Sequence, residues 1–573
     1  MHAAVPFPAP LITERETSWS RHAVIYEVYV RSFADSDGDG EGDLRGVTSR
    51  LDYLVDLGVD AVWLTPFYSS PMADGGYDVA DYRNVDPSFG TLADFDELVA
   101  QAHLRDLRVI IDVVPNHCSS AHPWFQAALA AGPGSPERAR FHFRAGDRLG
   151  IAPPGQLGPE TESSAQDRPP NNWQSIFRGP AWTRLPDGDW YLHMFAPEQP
   201  DLNWDSPEVR AEFADILRFW LDRGVDGIRI DVAHGLVKAA GLPDAATPGS
   251  GLLVGQQMPY FDQDGVHEIY REWRSIIDSY TPERIAVAEA WLPNLERSAR
   301  YARPGELHQA FNFEFLGAAW SGPTYRDVID ASLRVMGSVG APTTWVMSNH
   351  DVVRHASRLA AGVGGVAGGA GAAGTTAASA DPALGLRRAR AVALLMLALP
   401  GSVYLYQGEE LGLPEVFDLP AEARQDPIFA RTAGAELGRD GCRVPLPWSG
   451  SIPPYGFGTH GSWLPQPDSW GRLSVAAQRD DAGSTLSLYT AALRLRRDLP
   501  ALDAGELRWR SDPSDDVLVF ERPARDGGSA VICAVNQGTA PAAVLAGTPI
   551  LVSSPLTGDS LLPPNTAAWW IAP

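Results

Sequence analysis

The chain has 573 residues, which is too long for one ordinary domain and predicts a large domain with one or two smaller ones. Hydrophobic residues make up 44% of it and charged residues 20%, a composition that excludes global disorder. The formal net charge of −25 disfavours nucleic acid and anionic membranes as partners, although solubility alone also explains an acidic surface. Cys118, Cys442 and Cys533 lie far apart without a CxxC pair, so neither a zinc centre nor a disulfide framework is indicated.

Two stretches bear on where the protein resides. The N-terminal stretch MHAAVPFPAPLITERETSW lacks a basic segment followed by an apolar one, so we expect no secretion signal. The uncharged stretch 391–408 is long enough to raise the question of a transmembrane span. Pro400 and Gly401 divide it, which favours a buried helix up to Leu399 followed by a buried strand, SVYLY. We therefore expect a cytoplasmic protein with no membrane partner.

Short apolar runs that end in polar residues recur along the chain. They are AVIYEVYV (23–30), VDAVWLTP (59–66), RVIIDVVPNH (108–117), VDGIRIDV (225–232), RIAVAEAW (284–291), QAFNFEF (309–315), TTWVMSNHD (343–351) and GSVYLYQGEE (401–410). Amphipathic stretches such as LRGVTSRLDYLVDLG separate many of them. Buried strands alternating with helices are typical of a parallel sheet with helices outside, and eight such units predict a (β/α)8 TIM barrel of the α/β class.

Three segments depart from this alternation. Residues between His117 and about Trp182 are rich in proline, glycine and aromatic side chains, which predicts a small subdomain inserted after the third strand. The Ala/Gly-rich stretch 360–380 is low-complexity sequence and predicts a mobile loop of unassigned role. From about residue 505, alternating runs such as DVLVFERP predict a C-terminal antiparallel β domain. The predicted domains are a barrel over 1–117 and 183–504, the insertion over 118–182, and the β domain over 505–573.

Charged and polar residues gather where the predicted strands end. They are Asp112, Asn116, His117, Arg229, Asp231, Glu289, His350 and Asp351. A single carboxylate after a strand is usually a helix cap, but several on one barrel rim favour a catalytic site. Carboxylates in one cleft are what glycoside hydrolysis needs: one attacks the anomeric carbon, and another protonates the leaving oxygen and then deprotonates water.

The motifs DVVPNH, GIRIDV, AEAW and SNHD resemble the four signature regions of the α-amylase family of glycoside hydrolases. The segment QPDLNW (199–204) resembles the extra signature of the oligo-1,6-glucosidase and α-glucosidase branch. The resemblance implies that Asp231 is the nucleophile, Glu289 the general acid/base, and Asp351 the third carboxylate, which distorts and stabilises the sugar. Arg229 would keep Asp231 ionised, because the two residues share one side of their strand.

The resemblance also implies residues that bind the sugar. His117 and His350 would donate hydrogen bonds to hydroxyl groups of the cleaved unit. The segment GGYDV resembles the one that supplies a stacking tyrosine and a sugar-binding aspartate, here Tyr77 and Asp78. The segment RDGCRVPLPW resembles the one that supplies an arginine partner for that aspartate, here Arg443. Such a pair would close the pocket beyond the terminal glucose, as in an enzyme that removes end units.

An acidic loop, ADSDGDGEGDLRG, spaces Asp35, Asp37, Asp39, Glu41 and Asp43 at alternate positions. Alternating oxygen ligands on a glycine-bearing loop suit a structural Ca²⁺, although the twelfth position holds Gly46 and not the glutamate of an EF-hand. The loop resembles a calcium loop of this branch, in which Glu41 would contribute its backbone carbonyl. The alternative is a solvated acidic turn. We expect no organic cofactor.

We expect a retaining, exo-acting α-glucosidase that releases glucose from maltose and short α-glucoside oligosaccharides, with transglucosylation as a possible side activity. Val232, next to the nucleophile, is associated in this branch with α-1,6 cleavage, whereas IDVAHGL also resembles enzymes of broad or α-1,4 preference. An oligo-1,6-glucosidase is therefore the first alternative, followed by trehalose synthase or a sucrose hydrolase. A non-catalytic relative, such as a transporter heavy chain, is disfavoured by the retained carboxylates. Linkage preference, chain length and oligomeric state stay open.

Overall fold

The computed structural model describes most of the chain. It covers residues 18–146, 168–246, 257–360, 381–503, 505–511, 514–525, 527–544, 548–558 and 561–572. The predicted low-complexity loop, apart from Ala360, lies outside the described residues, as does most of the N-terminal stretch used to judge a secretion signal.

Eight parallel strands form the central sheet, one within each of the eight apolar runs. They are β1 (Val24–Val28), β2 (Ala61–Leu64), β3 (Arg108–Val113), β4 (Gly227–Ile230), β5 (Ile285–Ala288), β6 (Gln309–Ala310), β7 (Thr344–Val346) and β8 (Ser402–Tyr406). Their order is β6-β5-β4-β3-β2-β1-β8-β7, so the strands follow one another around a ring. Between β6 and β7, Thr344 Oγ1 donates a hydrogen bond to the carbonyl of Ala310 at 2.5 Å. The predicted (β/α)8 barrel is confirmed.

Period-two alternation divides the strand residues between two apolar layers. Ile25, Trp63 and Ile110 belong to a cluster inside the barrel, whereas their chain neighbours belong to the larger core between the strands and the helices. Because both faces are covered, β1, β2, β4, β5 and β8 are buried throughout. Polar residues in register with the inner cluster at the carboxyl ends of the strands must therefore project into the mouth of the barrel.

Helices surround the strands. The described α-helices are Leu44–Ser49, Leu51–Leu57, Leu92–His103, Pro123–Ala131, Pro207–Asp222, Val266–Ile277, Leu295–Tyr301, Phe313–Leu316, Gly322–Ser338, His355–Arg358, Pro382–Ala398, Pro427–Arg431, Val475–Gln478 and Thr485–Asp498. Helix Leu92–His103 begins with a capping box between Thr91 and Asp94, which satisfies backbone N–H groups of its first turn. Helix Pro382–Ala398 is buried continuously from Ala391 to Ala398 and is followed by the buried strand β8, as the sequence predicts. Within the described ranges, no helix has the length and apolarity needed to cross a membrane.

Three further sheets accompany the barrel in the described part of the chain. The insertion contributes an antiparallel sheet of Phe143–Ala145, Asp189–Leu192 and Trp182–Arg184, so its hydrogen bonding continues beyond residue 182, where the prediction ended the insertion. The C-terminal sheet has the order Arg508–Trp509, Val517–Arg522, Val531–Asn536, Thr566–Ile571 and Leu551–Val552, with antiparallel pairing throughout. The predicted C-terminal antiparallel β domain is confirmed. A two-stranded hairpin, Tyr68–Ser69 with Asp81–Val85, follows β2.

Candidate active site

Arg229 lies at the centre of a buried charge cluster at the mouth of the barrel. Its Nη1 donates hydrogen bonds to Asp112 Oδ1 at 2.6 Å and to Asp231 Oδ1 at 2.7 Å. Its Nη2 lies 3.8 Å from Glu289 Oε2. The strand register explains this arrangement, because Asp112 of β3 is the cross-strand partner of Arg229 of β4. One guanidinium thus joins three of the carboxylates that the sequence places on this rim.

The backbone after β4 orients Glu289. The N–H of Val232 donates a hydrogen bond to Glu289 Oε2 at 2.8 Å. Val232 has a φ of 44°, a left-handed conformation that a β-branched residue rarely adopts. Burial raises the pKa of Glu289 to about 7, against the opposing effect of Arg229. Glu289 can therefore hold a proton near neutral pH, as a general acid requires.

Asp231 is also buried, with 7% of its surface exposed. Burial raises its pKa, and the charge of Arg229 opposes that rise. The expectation that Arg229 alone keeps Asp231 ionised is therefore incomplete. The guanidinium contacts Asp231 directly and Glu289 only at 3.8 Å, so a proton shared by the two carboxylates is better placed on Glu289.

Asp351 differs from these carboxylates because two guanidinium groups and an imidazole surround it. Its Oδ1 lies 3.0 Å from Arg443 Nη2 and 3.1 Å from Arg439 Nη1, and its Oδ2 lies 3.2 Å from His350 Nε2. Burial acts to raise the pKa of Asp351, but His350, Arg439 and Arg443 together hold it well below its usual range. The third predicted carboxylate is thus a fixed negative charge.

The predicted pair of Asp78 and Arg443 is wrong. Asp78 accepts hydrogen bonds from Ser70 Oγ and from the backbone N–H groups of Ala73 and Asp74, so both of its oxygens hold its own loop together. Arg443 donates instead to the carbonyl of His350 at 2.9 Å and to Asp351. Both side chains are therefore engaged by other partners, and the predicted ion pair between them does not form.

The pair that the structure forms is Asp74 with Arg439. Arg439 Nη2 lies 2.5 Å from Asp74 Oδ1, and the same guanidinium contacts Asp351 and Asp426. Each motif, ADGGYD and GRDGCR, offers two candidates four residues apart. The sequence alone does not distinguish the two members of each set, because both are the same residue type in the same short loop.

His117 lies in a polar network beside this pair. Its Nδ1 is 3.1 Å from Asn116 Nδ2, and its Nε2 is 3.2 Å from the carbonyl of Tyr77. Gln199, from the QPDLNW motif, donates to Asp74 Oδ2 at 3.0 Å and lies 3.1 Å from His117 Nε2. Burial lowers the pKa of His117 to about 4, so this side chain is neutral near pH 7. Sequence analysis missed Gln199 as a member of the site, although its motif had been noted.

Aromatic side chains complete the surroundings. Tyr77 donates to Asp112 Oδ2 at 3.0 Å, and its ring stacks on His350 at 5.1 Å. Phe177 of the insertion lies against Arg439, whose guanidinium is 4.8 Å from the ring centroid. Phe195 packs beside Phe177, with 5.5 Å between the ring centroids. The insertion therefore contributes directly to one side of the site, a role that its weakly patterned sequence does not reveal.

The buried ammonium group of Lys238 connects three segments of the same region. Lys238 Nζ lies 2.7 Å from Asp201 Oδ2, and it donates hydrogen bonds to Asn116 Oδ1 at 2.9 Å and to the carbonyl of Gly235 at 2.5 Å. It is the only lysine in the chain. The ammonium joins the segment after β3, the QPDLNW motif and the loop that follows Asp231.

The acidic loop after β1 brings together part of the predicted metal site. Asp35, Asp37 and Asp39 offer carboxylate oxygens within 4.8 Å of one another. Glu41 directs its carboxylate to Arg31 Nη2 at 2.5 Å, and Asp43 caps helix Leu44–Ser49 by accepting from the N–H of Gly46. Only the first three carboxylates therefore converge in this conformation.

The chain is similar to known proteins over nearly its whole length. The family model described as the catalytic domain of alpha amylase matches residues 27–505. The chain is 36% identical to a probable alpha-glucosidase of Rhizobium meliloti, over 92% of this chain and 90% of that protein. It is 35% identical to a trehalose-6-phosphate hydrolase of Escherichia coli, over 96% and 98% respectively. The crystal structure of an alpha-glucosyl transfer enzyme, XgtA, superposes with a TM-score of 0.81 at 37% identity, covering 97% of this chain and 100% of that one.

Proposed function

Because the chain belongs to the α-amylase family of glycoside hydrolases, we propose that it is a retaining α-glucosidase that removes single glucose units from non-reducing ends. Its substrates are maltose and short α-glucoside oligosaccharides. The observation that carries the exo-acting mode is the buried ion pair of Asp74 and Arg439. Because Arg439 also contacts Asp351, the pair lies beside a proposed catalytic carboxylate, where it would close the pocket behind a terminal glucose.

The proposed reaction uses three carboxylates with different roles. Asp231 attacks the anomeric carbon, and Glu289 donates its proton to the leaving oxygen as the glycosidic bond breaks. Glu289, now ionised, removes a proton from water, which attacks the glucosyl ester and frees Asp231 with the α configuration retained. Asp351 stays charged throughout and stabilises the oxocarbenium-like transition state. The elevated pKa of Glu289, at about 7, supports the first of its two roles.

Time-resolved analysis of the products from maltoheptaose tests the exo-acting mode. Glucose should be released first, together with maltohexaose, and starch should be a poor substrate because it offers few ends per unit mass. Early maltose or maltotriose without glucose would show an open cleft and would exclude the proposal.

Oligo-1,6-glucosidase activity is the second candidate, and Val232 favours it. Val232 is buried in one apolar cluster with Phe177 and Phe195, on the side of the site that the insertion covers. A valine at this position is the residue that this branch associates with α-1,6 cleavage. Initial rates on maltose, isomaltose, sucrose and trehalose decide between the linkages, and trehalose 6-phosphate belongs in the panel because of the relative that is named for it.

We also propose that the acidic loop holds a structural Ca²⁺. Asp35, Asp37 and Asp39 supply only oxygen ligands, which suits a hard cation. A bound cation would also relieve the electrostatic repulsion among these three carboxylates. Glu41, whose carboxylate is engaged by Arg31, would contribute its backbone carbonyl. The ion would stabilise the loop and take no part in bond cleavage.

For its location we propose the cytoplasm. The support is that Cys118, Cys442 and Cys533 are all buried and unpaired, as is usual in a reducing compartment.

A further inference from the structure

Glu27 is a buried carboxylate for which the proposed reaction has no use. It lies on β1 with 1% of its surface exposed, and it shares the inward-facing side of the strand with Ile25. Its Oε1 lies 2.5 Å from Nδ1 of His350 and 3.4 Å from the backbone nitrogen of the same residue. Burying a carboxyl group in the barrel interior costs free energy of folding unless a partner forms a hydrogen bond with it. The contact with His350 supplies that partner.

The ring of His350 is held in its plane by two tyrosines. Tyr77 stacks on it with a centroid distance of 5.1 Å and an interplanar angle of 13°, and Tyr29 stacks at 5.9 Å and 26°. Stacking fixes the plane of an imidazole but does not decide which of its nitrogens carries the proton. That choice depends on the hydrogen-bond partners of the two nitrogens.

Counting protons shows what Glu27 contributes. His350 Nε2 lies 3.2 Å from Oδ2 of the charged Asp351, an oxygen that can only accept, so this side of the ring favours a proton on Nε2, and the partner of Nδ1 decides whether that tautomer is held. If Nδ1 carried a proton as well, His350 would be a cation facing an ionised Glu27. If it did not, Glu27 must be protonated and donate to Nδ1. In both cases the pair holds two protons and presents Nε2–H.

We propose that Glu27 is a positioning residue, which fixes His350 with Nε2–H directed toward Asp351 and the sugar that occupies the site. The inference rests on the proposed function, in which His350 binds a hydroxyl group of the cleaved glucose. Of the two protonation states the neutral one is favoured, because burial raises the pKa of Glu27 and lowers that of His350. Glu27 then acts as a neutral hydrogen-bond donor.

Three substitutions of Glu27 test this role. Glu27→Gln keeps a neutral donor, the amide N–H, within reach of Nδ1, so activity on an aryl α-glucoside should stay within tenfold of the wild type. Glu27→Met fills the same space without a donor and should lower kcat/KM by about 10- to 100-fold, the range found when hydrogen-bond partners of metal-binding histidines are removed. Glu27→Asp retains the acid but is too short, and it should resemble the methionine variant. Equal activity of the glutamine and methionine variants would overturn the proposal.

A panel of monodeoxy aryl glucosides separates positioning from a merely structural effect. The wild type should lose activity on the analogue that lacks the hydroxyl bound by His350. Glu27→Met should show a smaller loss on that analogue than the wild type, while its losses on the other analogues stay the same. Uniform losses on every analogue would contradict the inference. If the methionine variant does not fold, the aspartate variant provides the same comparison.

Isotope-labelled histidine gives a readout that does not depend on activity. The imidazole nitrogens of His350, assigned by comparison with His350→Asn, should report an Nε2–H tautomer in the wild type and in Glu27→Gln. Glu27→Met should show a different tautomer or a mixture. A spectrum of Glu27→Met identical to that of the wild type would contradict the positioning role. Inactivity of the wild type on all glucosides would instead contradict only the proposed function.

Discussion

Arg439 and Asp74 form a buried ion pair, with Nη2 of the arginine 2.5 Å from Oδ1 of the aspartate. Their side chains are 11% and 4% exposed, so water contributes little to the solvation of either charge. Removing the arginine therefore leaves Asp74 buried without its ion-pair partner.

Arg439→Ala should weaken substrate binding and slow turnover together, and it should lower stability by about 3–5 kcal/mol if Asp74 stays charged. The measurements are kcat, KM and the free energy of unfolding. Asp78→Asn is the matched comparison, because Asp78 holds its own loop and does not face the pocket. That variant should lose stability but still release glucose first from maltoheptaose. If Asp78→Asn changed the product pattern and Arg439→Ala did not, the assignment of the pair would be wrong.

Asp231→Asn should lower kcat by roughly a millionfold, the scale seen when an essential nucleophile is removed. The reason is that an amide cannot form the glucosyl ester. The amide can still accept a hydrogen bond from Arg229, so the melting temperature should stay close to that of the wild type. Retention of a tenth of the activity would exclude Asp231 as the nucleophile.

Glu289 gives the reaction its dependence on pH. Its pKa is raised to about 7 by burial, and the general acid must be protonated, so kcat/KM should fall as the pH rises through this value. Glu289→Gln should lose far more activity on maltose than on an aryl glucoside with a good leaving group, because that leaving group needs little protonation. Its residual activity should lack the alkaline fall. Equal losses on both substrates would argue against the acid role.

Much of this architecture could be predicted because it depends on residue pattern. Each of the eight apolar runs became a barrel strand, and the period-two alternation that buries Ile25 also turns Glu27 inward. The site was harder to predict where two chemically equal candidates lie close in the chain. Asp78 accepts hydrogen bonds from the backbone of its own loop, which leaves Asp74 to pair with the arginine. This difference arises only in the folded loop. Phe177 could not be assigned, because its position depends on how the insertion packs against the barrel.

Calcium should raise the melting temperature if the acidic loop binds it, because a ligand of the folded state alone stabilises that state by mass action. The measurement compares chelator, excess Ca²⁺ and excess Mg²⁺ on the same protein. Asp37→Asn should reduce the Ca²⁺-dependent shift, since Asp37 is one of the three converging carboxylates. Asp43→Asn is the control for the helix, because asparagine is also a good N-cap. Identical melting curves with chelator and with Ca²⁺ would exclude an exchangeable ion.

Lys238 is the single lysine of a chain with 46 lysine and arginine residues, and it is buried against Asp201 at 2.7 Å. A compact ammonium can bring one nitrogen to three oxygens, those of Asp201, Asn116 and Gly235, whereas a guanidinium is planar and spreads its donors. We therefore expect that arginine does not replace Lys238. Lys238→Arg should lower both the melting temperature and the activity.

Lys238→Met removes the charge and nearly conserves the volume. It should cost about 3–5 kcal/mol of stability, because Asp201 is left buried and unpaired. Activity should fall as well, since the ammonium holds Asn116, whose side chain contacts His117 Nδ1 at 3.1 Å. The double variant Lys238→Met with Asp201→Asn should recover part of the stability, because it removes the uncompensated charge. A double-mutant cycle on the free energy of unfolding measures this coupling. Additive losses from the two substitutions would show that the ammonium and the carboxylate do not stabilise each other, and would contradict a role of Lys238 in holding the loop that follows Asp231.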